Sequence, residues 1–119
     1  MVYVPSVAYE RVEMGGGSDF SWDSCNSDVL SISVSGGGDC QIKGVAQKLS
    51  IDSSGGADVK CGELEAEDVT IDASGGSDVD AVANSTLSLT ASGGADIHIK
   101  GNPQIVHWDV SGGADVEFN

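Results

Sequence analysis

The sequence predicts an all-β fold, a right-handed parallel β-helix (β-solenoid) of about six coils with ~19 residues per coil. Three observations carry this expectation. The tetrapeptide Gly-Gly-small-Asp occurs six times, ending at Asp19, Asp39, Asp58, Asp78, Asp96 and Asp115, at intervals of 20, 19, 20, 18 and 19 residues. Apolar and polar residues alternate around every copy, the period of a strand with one buried face. No 3.6-residue period appears, so helix is not expected.

Taken in order, the elements support the same fold. At the N-terminus, Val2 and Val4 read as a unit's second strand without its first, so the chain is expected to be a single domain, residues 1–119, belonging to a longer solenoid. Before each corner lie the inward sets Leu30/Ile32/Val34, Leu49/Ile51, Val69/Ile71/Ala73, Leu87/Leu89/Ala91 and Val106/Trp108/Val110. After each Asp come Phe20/Trp22, Cys40/Ile42, Val59/Cys61, Val79/Ala81, Ile97/Ile99 and Val116/Phe118. A Ser precedes the glycine pair in five copies, and 14 of the 17 glycines lie in these motifs. They supply backbone angles closed to other residues at a tight corner. A third inward position is expected at Cys25, Val45 and Leu64, taken later by Asn84 and Asn102, with a second corner at Gly44, Gly62 and Gly101.

One such unit cannot bury its own apolar face, whereas stacked units can. Constant register then places each Asp above the last and puts Ile51, Ile71 and Leu89 in one buried column. Crossovers between parallel strands are right-handed by strong default. A β-sandwich would need hairpins, and no Asn-Gly or Asp-Gly turn joins adjacent apolar runs. The large rings Phe20, Trp22, Trp108 and Phe118 fall in the first and last full units, where they would plug the ends of the cylinder.

Composition narrows function. A chain of 119 residues makes one domain. Nineteen acidic against five basic side chains give a net charge of −14, which excludes a nucleic-acid backbone binder and a ligand of anionic membrane surfaces. No apolar run approaches the ~20 residues of a membrane span. No signal peptide is expected in Met1-Val2-Tyr3-Val4-Pro5, so an exported protein would have had its signal removed from this chain. The cysteine count, three, is odd. Cys40 and Cys61 fall at inward positions two residues out of register, too far apart for a disulfide, and read as buried thiols. His98 and His107 follow opposite strands of neighbouring units and read as separate exposed residues. Ser-His-Asp order, phosphate loops and zinc spacing are all missing from the sequence, so no catalytic residue and no cofactor is expected.

Two columns are candidate sites. The first is Asp19, Asp39, Asp58, Asp78, Asp96 and Asp115. Carboxylates at strand spacing repel by ~0.9 kcal/mol per neighbour even at water's dielectric constant. Either each Asp accepts hydrogen bonds from backbone N–H groups in its own corner or from its Ser, or the column binds a hard cation such as Ca²⁺. Capping is favoured, because only Ser adds another side-chain oxygen at the corner, whereas Ca²⁺ takes six to eight. The second is a polar sheet face. One line reads Ser31, Ser50, Thr70, Ser88, His107; the other reads Glu13, Ser33, Asp52, Asp72, Thr90, Asp109. Ser31, Ser50, Thr70, Ser88, Asp52, Asp72 and Asp109 are the candidate ligand face, suited to a glycan or a protein surface. Only Tyr3 and Tyr9 read as exposed aromatics for sugar stacking.

The blocks Ser54-Gly55-Gly56-Ala57-Asp58-Val59, Ser74-Gly75-Gly76-Ser77-Asp78-Val79, Ser92-Gly93-Gly94-Ala95-Asp96-Ile97 and Ser111-Gly112-Gly113-Ala114-Asp115-Val116 resemble the auto-transporter adhesin "head GIN" domain family, common in Bacteroidetes. The resemblance runs from Val2 to Asn119. It implies a right-handed parallel β-helix in an exported bacterial protein, located in the periplasm, outer membrane or cell surface, with no established catalytic residues. The chain lacks the family's earlier segment and stops where members often run on. The function expected is a non-enzymatic, adhesin-like surface module. One alternative is an assembly protein that self-associates through its solenoid ends. The other is a polysaccharide-active enzyme, which would need bases or paired acids on long loops, whereas here the loops are short and the basic residues read as scattered.

Overall fold

The computed structural model describes residues 7–17 and 19–118, with the backbone alone at 7–10, 23–25 and 27. Val2, Tyr3 and Val4, and the side chains of Tyr9 and Cys25, therefore lie outside the described residues. Eight strands follow one another: β1 (Val7–Met14), β2 (Asp19–Val34), β3 (Asp39–Ser53), β4 (Asp58–Ala73), β5 (Asp78–Ala91), β6 (Asp96–Lys100), β7 (Gln104–Val110) and β8 (Asp115–Phe118). They pair in the order β1-β2-β3-β4-β5-β6-β8, with β7 also beside β5, and every pairing is parallel. This is a β-solenoid of about five turns, close to the six expected.

The repeat sets the register. Asp19, Asp39, Asp58, Asp78, Asp96 and Asp115 are successive partners, as are Ile51, Ile71 and Leu89. Ile51, Ile71 and Leu89 are fully buried, as their alternation requires. Each of β2 to β5 runs unbroken from the Asp of one corner to the next, so the two short strands expected per unit are one bent strand of 14–16 residues. The bend is absorbed by register shifts, such as those at Gln41/Lys43 and Lys60/Glu65, rather than by a break. Only the last coil divides, at Gly101-Asn102-Pro103, where proline has no N–H for the ladder.

Burial along β4 shows three sides to a coil. Val59 and Cys61 point inward, then Leu64 and Ala66, then Val69, Ile71 and Ala73. The parity changes at Gly62-Glu63 and again at Glu67-Asp68, where two consecutive residues face outward and the chain turns a convex corner.

The third inward position was expected at Val45, Leu64, Asn84 and Asn102, and only Leu64 is buried there. Val45 is 51% exposed, and Asn84 and Asn102 face solvent. The inner column is Ala46, Ala66 and Ala83, which pair in register. Coil length varies at this corner, so a fixed offset from the preceding strand lands on the wrong side.

The ends also differ in part from expectation. Phe20 and Trp22 are half-buried and meet edge to face, with ring centroids 6.4 Å apart. Trp108 and Phe118 stack across the other end at 6.0 Å but stay 47% and 43% exposed. β7 and β8 have a neighbour on one side only, so their inward side chains are covered from below and not from above. Val106 is not inward at all. A register shift leaves it opposite no residue, and Ile105 continues the column of Leu87 instead. Cys40 and Cys61 are buried and unbridged, and burial pushes the Cys40 thiol up to about 11.

Candidate functional site

The corner that carries the Asp column is built from backbone. In the five later copies the first glycine of the pair takes a left-handed φ, 72° at Gly75, and the second does not, whereas Gly16 and Gly17 both do. Successive corners are hydrogen-bonded to one another. Ser74 N–H donates to Ser53 O, Gly76 N–H to Gly55 O and Asp78 N–H to Ala57 O, all at 2.9 Å. The residue before Asp58, Asp78 and Asp96 is small because it points inward: Ala57, Ser77 and Ala95 are fully buried. The Ser77 hydroxyl is satisfied by donating to Ser74 O at 2.8 Å.

Capping was the expectation for Asp58. The Ser, second-glycine and Asp N–H groups of the corner bond to the coil below, and the Asp58 carboxyl lies beside those of Asp39 and Asp78. Its carboxyl is held above the ordinary aspartate range. Burial is the main cause, followed by the charge of Asp78, the bonds to Asp39 and Asp78, and the charge of Asp39. Two carboxyl groups can share a hydrogen bond only when one holds a proton. The column supplies one carboxylate per coil along a line. Among the described residues, no group of three or more His, Cys, Asp and Glu side chains converges to hold a metal ion.

The polar face is assembled as the alternation implies. Ser31, Ser50, Thr70, Ser88 and His107 are successive partners, and so are Glu13, Ser33, Asp52, Asp72, Thr90 and Asp109. Ser31, Ser50 and Ser88 are half-buried, while Thr70, Asp52, Asp72 and Asp109 are exposed. One border of the face is tied between coils by Thr86 Oγ1 donating to Asp68 Oδ1 at 2.6 Å and Ser85 Oγ donating to Glu67 Oε2 at 2.7 Å.

Two arrangements were not legible in the strand pattern. His98 is not an isolated polar residue: Nδ1 lies 3.2 Å from Asp80 Oδ1 and Nε2 lies 3.2 Å from Glu117 Oε2, so it links three coils. The basic residues are not scattered either. Lys43, Lys60 and Lys100, from three different coils, line one hollow of about 160 Å³ that also contains Gly62. Counting from each repeat's Asp would have found them, since Lys43 and Lys100 share one offset and Lys60 lies two residues nearer the Asp.

These features define a parallel β-solenoid repeat domain with an acidic corner and a flat polar side. The profile of the family described as "Putative auto-transporter adhesin, head GIN domain" matches residues 8–103, and the chain belongs to that family. Its fold is shared by a crystal structure described as a putative lipid binding protein from Parabacteroides distasonis, with a TM-score of 0.89 and 20% identity. The similarity covers 93% of this chain and 45% of that one, so the chain spans less than half the length of its solved relative. None of the curated proteins compared with the chain matches it.

Proposed function

We propose that this domain is a non-enzymatic, extracytoplasmic binding module that engages a glycan or protein ligand through its polar sheet face. The observation behind this reading is the pair of in-register columns through Ser50, Thr70 and Ser88 and through Asp52, Asp72 and Asp109. Parallel stacking repeats hydroxyls and carboxylates at strand spacing over a flat surface, which suits a ligand that is itself extended and rich in hydroxyl groups. The family's adhesin description supports a surface role. The solved relative's lipid binding description has less to attach to on this face. Among the described residues, the exposed large apolar side chains are Val45 and four in the last coil.

The test is a glycan array probed with the wild-type chain and with Ser50→Arg/Ser88→Arg. Retention of one glycan class by the wild type, reduced at least tenfold in the variant, is the expected result. Binding that the variant leaves intact would move the ligand to another surface, and cleavage of an arrayed acidic polysaccharide would restore the enzyme reading.

A second reading, self-association through a solenoid end, is favoured by the exposure of Ile105, Trp108 and Phe118 beside strand edges paired on one side only. Sedimentation that depends on concentration in the wild type and not in Trp108→Glu would support it.

A further inference from the structure

The hollow around Gly62 lies on a different side of the coil from the polar face. We propose that it is a binding site for a single compact oxyanion of the phosphate or sulfate class.

The argument begins with charge. The chain has five basic side chains among nineteen acids, and three of the five meet here. Lys48, outside the hollow, has no carboxylate oxygen within 4.0 Å among the described residues, although a lysine in so acidic a chain can find one. Lys43 does so, 3.0 Å from Glu63 at the rim. Lys60 and Lys100 do not: among the described residues, no carboxylate oxygen lies within 4.0 Å of either ammonium. Two cations from different coils thus share one depression with no ion-pair partner among the described residues.

The floor supports the same reading. Gly62 has no left-handed φ, and a Cβ placed on it would meet Lys100 Nζ at 3.7 Å and Asp80 Cβ at 3.9 Å, both ordinary contacts. Neither backbone conformation nor crowding requires glycine there. Its missing side chain leaves open the space beneath the Lys100 ammonium. The pairing of β4 shifts register on both sides at this point, and such bulges re-aim side chains.

The local charge limits the ligand. Glu63 and Asp80 line the hollow with the three lysines, leaving one positive charge in excess. The Asp column close by opposes any extended polyanion. A small tetrahedral anion can sit between Lys60 and Lys100 as a point charge while the rest of the acidic surface is screened beyond about 8–10 Å.

The test is a backbone-amide NMR titration of the full chain with inorganic phosphate and with sulfate at constant ionic strength. Saturable shifts centred on Lys60, Gly62 and Lys100, on the order of millimolar affinity, are expected. Lys60→Gln and Lys100→Gln should each weaken binding roughly fivefold, the scale of one charge-assisted contact at an exposed site. Gly62→Ala should weaken it by filling the floor, with otherwise wild-type spectra. Parallel arms with glycerol 3-phosphate and glucose 6-sulfate distinguish the sources. Equal or tighter binding of the esters supports an anionic group carried on a larger molecule, and binding of the inorganic ions alone supports a free anion. Shifts that do not saturate, that centre elsewhere, or that persist in Lys60→Gln/Lys100→Gln would overturn the proposal.

Discussion

A side chain placed on Gly75 would bring its Cβ within 2.8 Å of the carbonyl oxygen of Gly55, the glycine directly beneath it in the preceding coil. Gly75 also has φ of +72°, so two independent constraints act on one position. Gly76, next in sequence, has neither: its Cβ would meet nothing within 4 Å. Gly75→Ala should therefore destabilise by at least about 2 kcal/mol, combining left-handed strain with a backbone clash. Gly76→Ala should stay within about 0.5 kcal/mol of wild type. Urea denaturation of the two variants checks this, and equal losses would show that the pair acts as one flexible unit.

Asp58 makes the acidic corner sensitive to pH. Its folded-state pKa lies above its unfolded value, so the native chain holds that proton more tightly than the unfolded chain does. Its contribution to stability therefore rises as pH falls from neutral through the folded pKa, and levels off below the unfolded value near 3.9. Asp58→Asn removes the charge and keeps the shape. We expect the variant to be about 0.5–1 kcal/mol more stable than wild type at pH 7, the scale of relieving like charges opposed across strands. The advantage should shrink on approach to pH 4. Denaturation at both pH values measures it, and an advantage that grew on acidification would contradict the sign.

Ser53 places a fully buried hydroxyl at an inward position with no hydrogen-bond partner among the described residues. Its register partners are Val34 below and Ala73 above, both apolar. An unmet buried hydroxyl costs about 1–3 kcal/mol, and removing one oxygen leaves little void. Ser53→Ala should raise stability by roughly 1 kcal/mol, or a few degrees in Tm. An unchanged or lowered Tm would mean that the hydroxyl is satisfied in solution.

The strand direction, the register and the buried Ile51–Ile71–Leu89 column were determined by the sequence alone. A motif repeated at 18–20 residues, with alternation locked to it, leaves one parallel stacking that buries every apolar set. The same logic placed Ser50 beside Thr70 and Asp52 beside Asp72 on the polar face, because period-two alternation fixes the outward columns as firmly as the inward ones. What lay between the corners was decided only in three dimensions. Coil length varies there, so Ala46, Ala66 and Ala83 turn inward while Val45, at a position that looks equivalent, faces water. Hydropathy cannot rank a lone alanine against a valine when the register shift that decides between them is a backbone event. The roles of the two glycines were also hidden, since only the backbone angle and the distance to the coil below separate Gly75 from Gly76. The meeting of Lys43, Lys60 and Lys100 has the same origin: stacking about 19 residues per turn converts large sequence separations into neighbouring positions on one side of the solenoid.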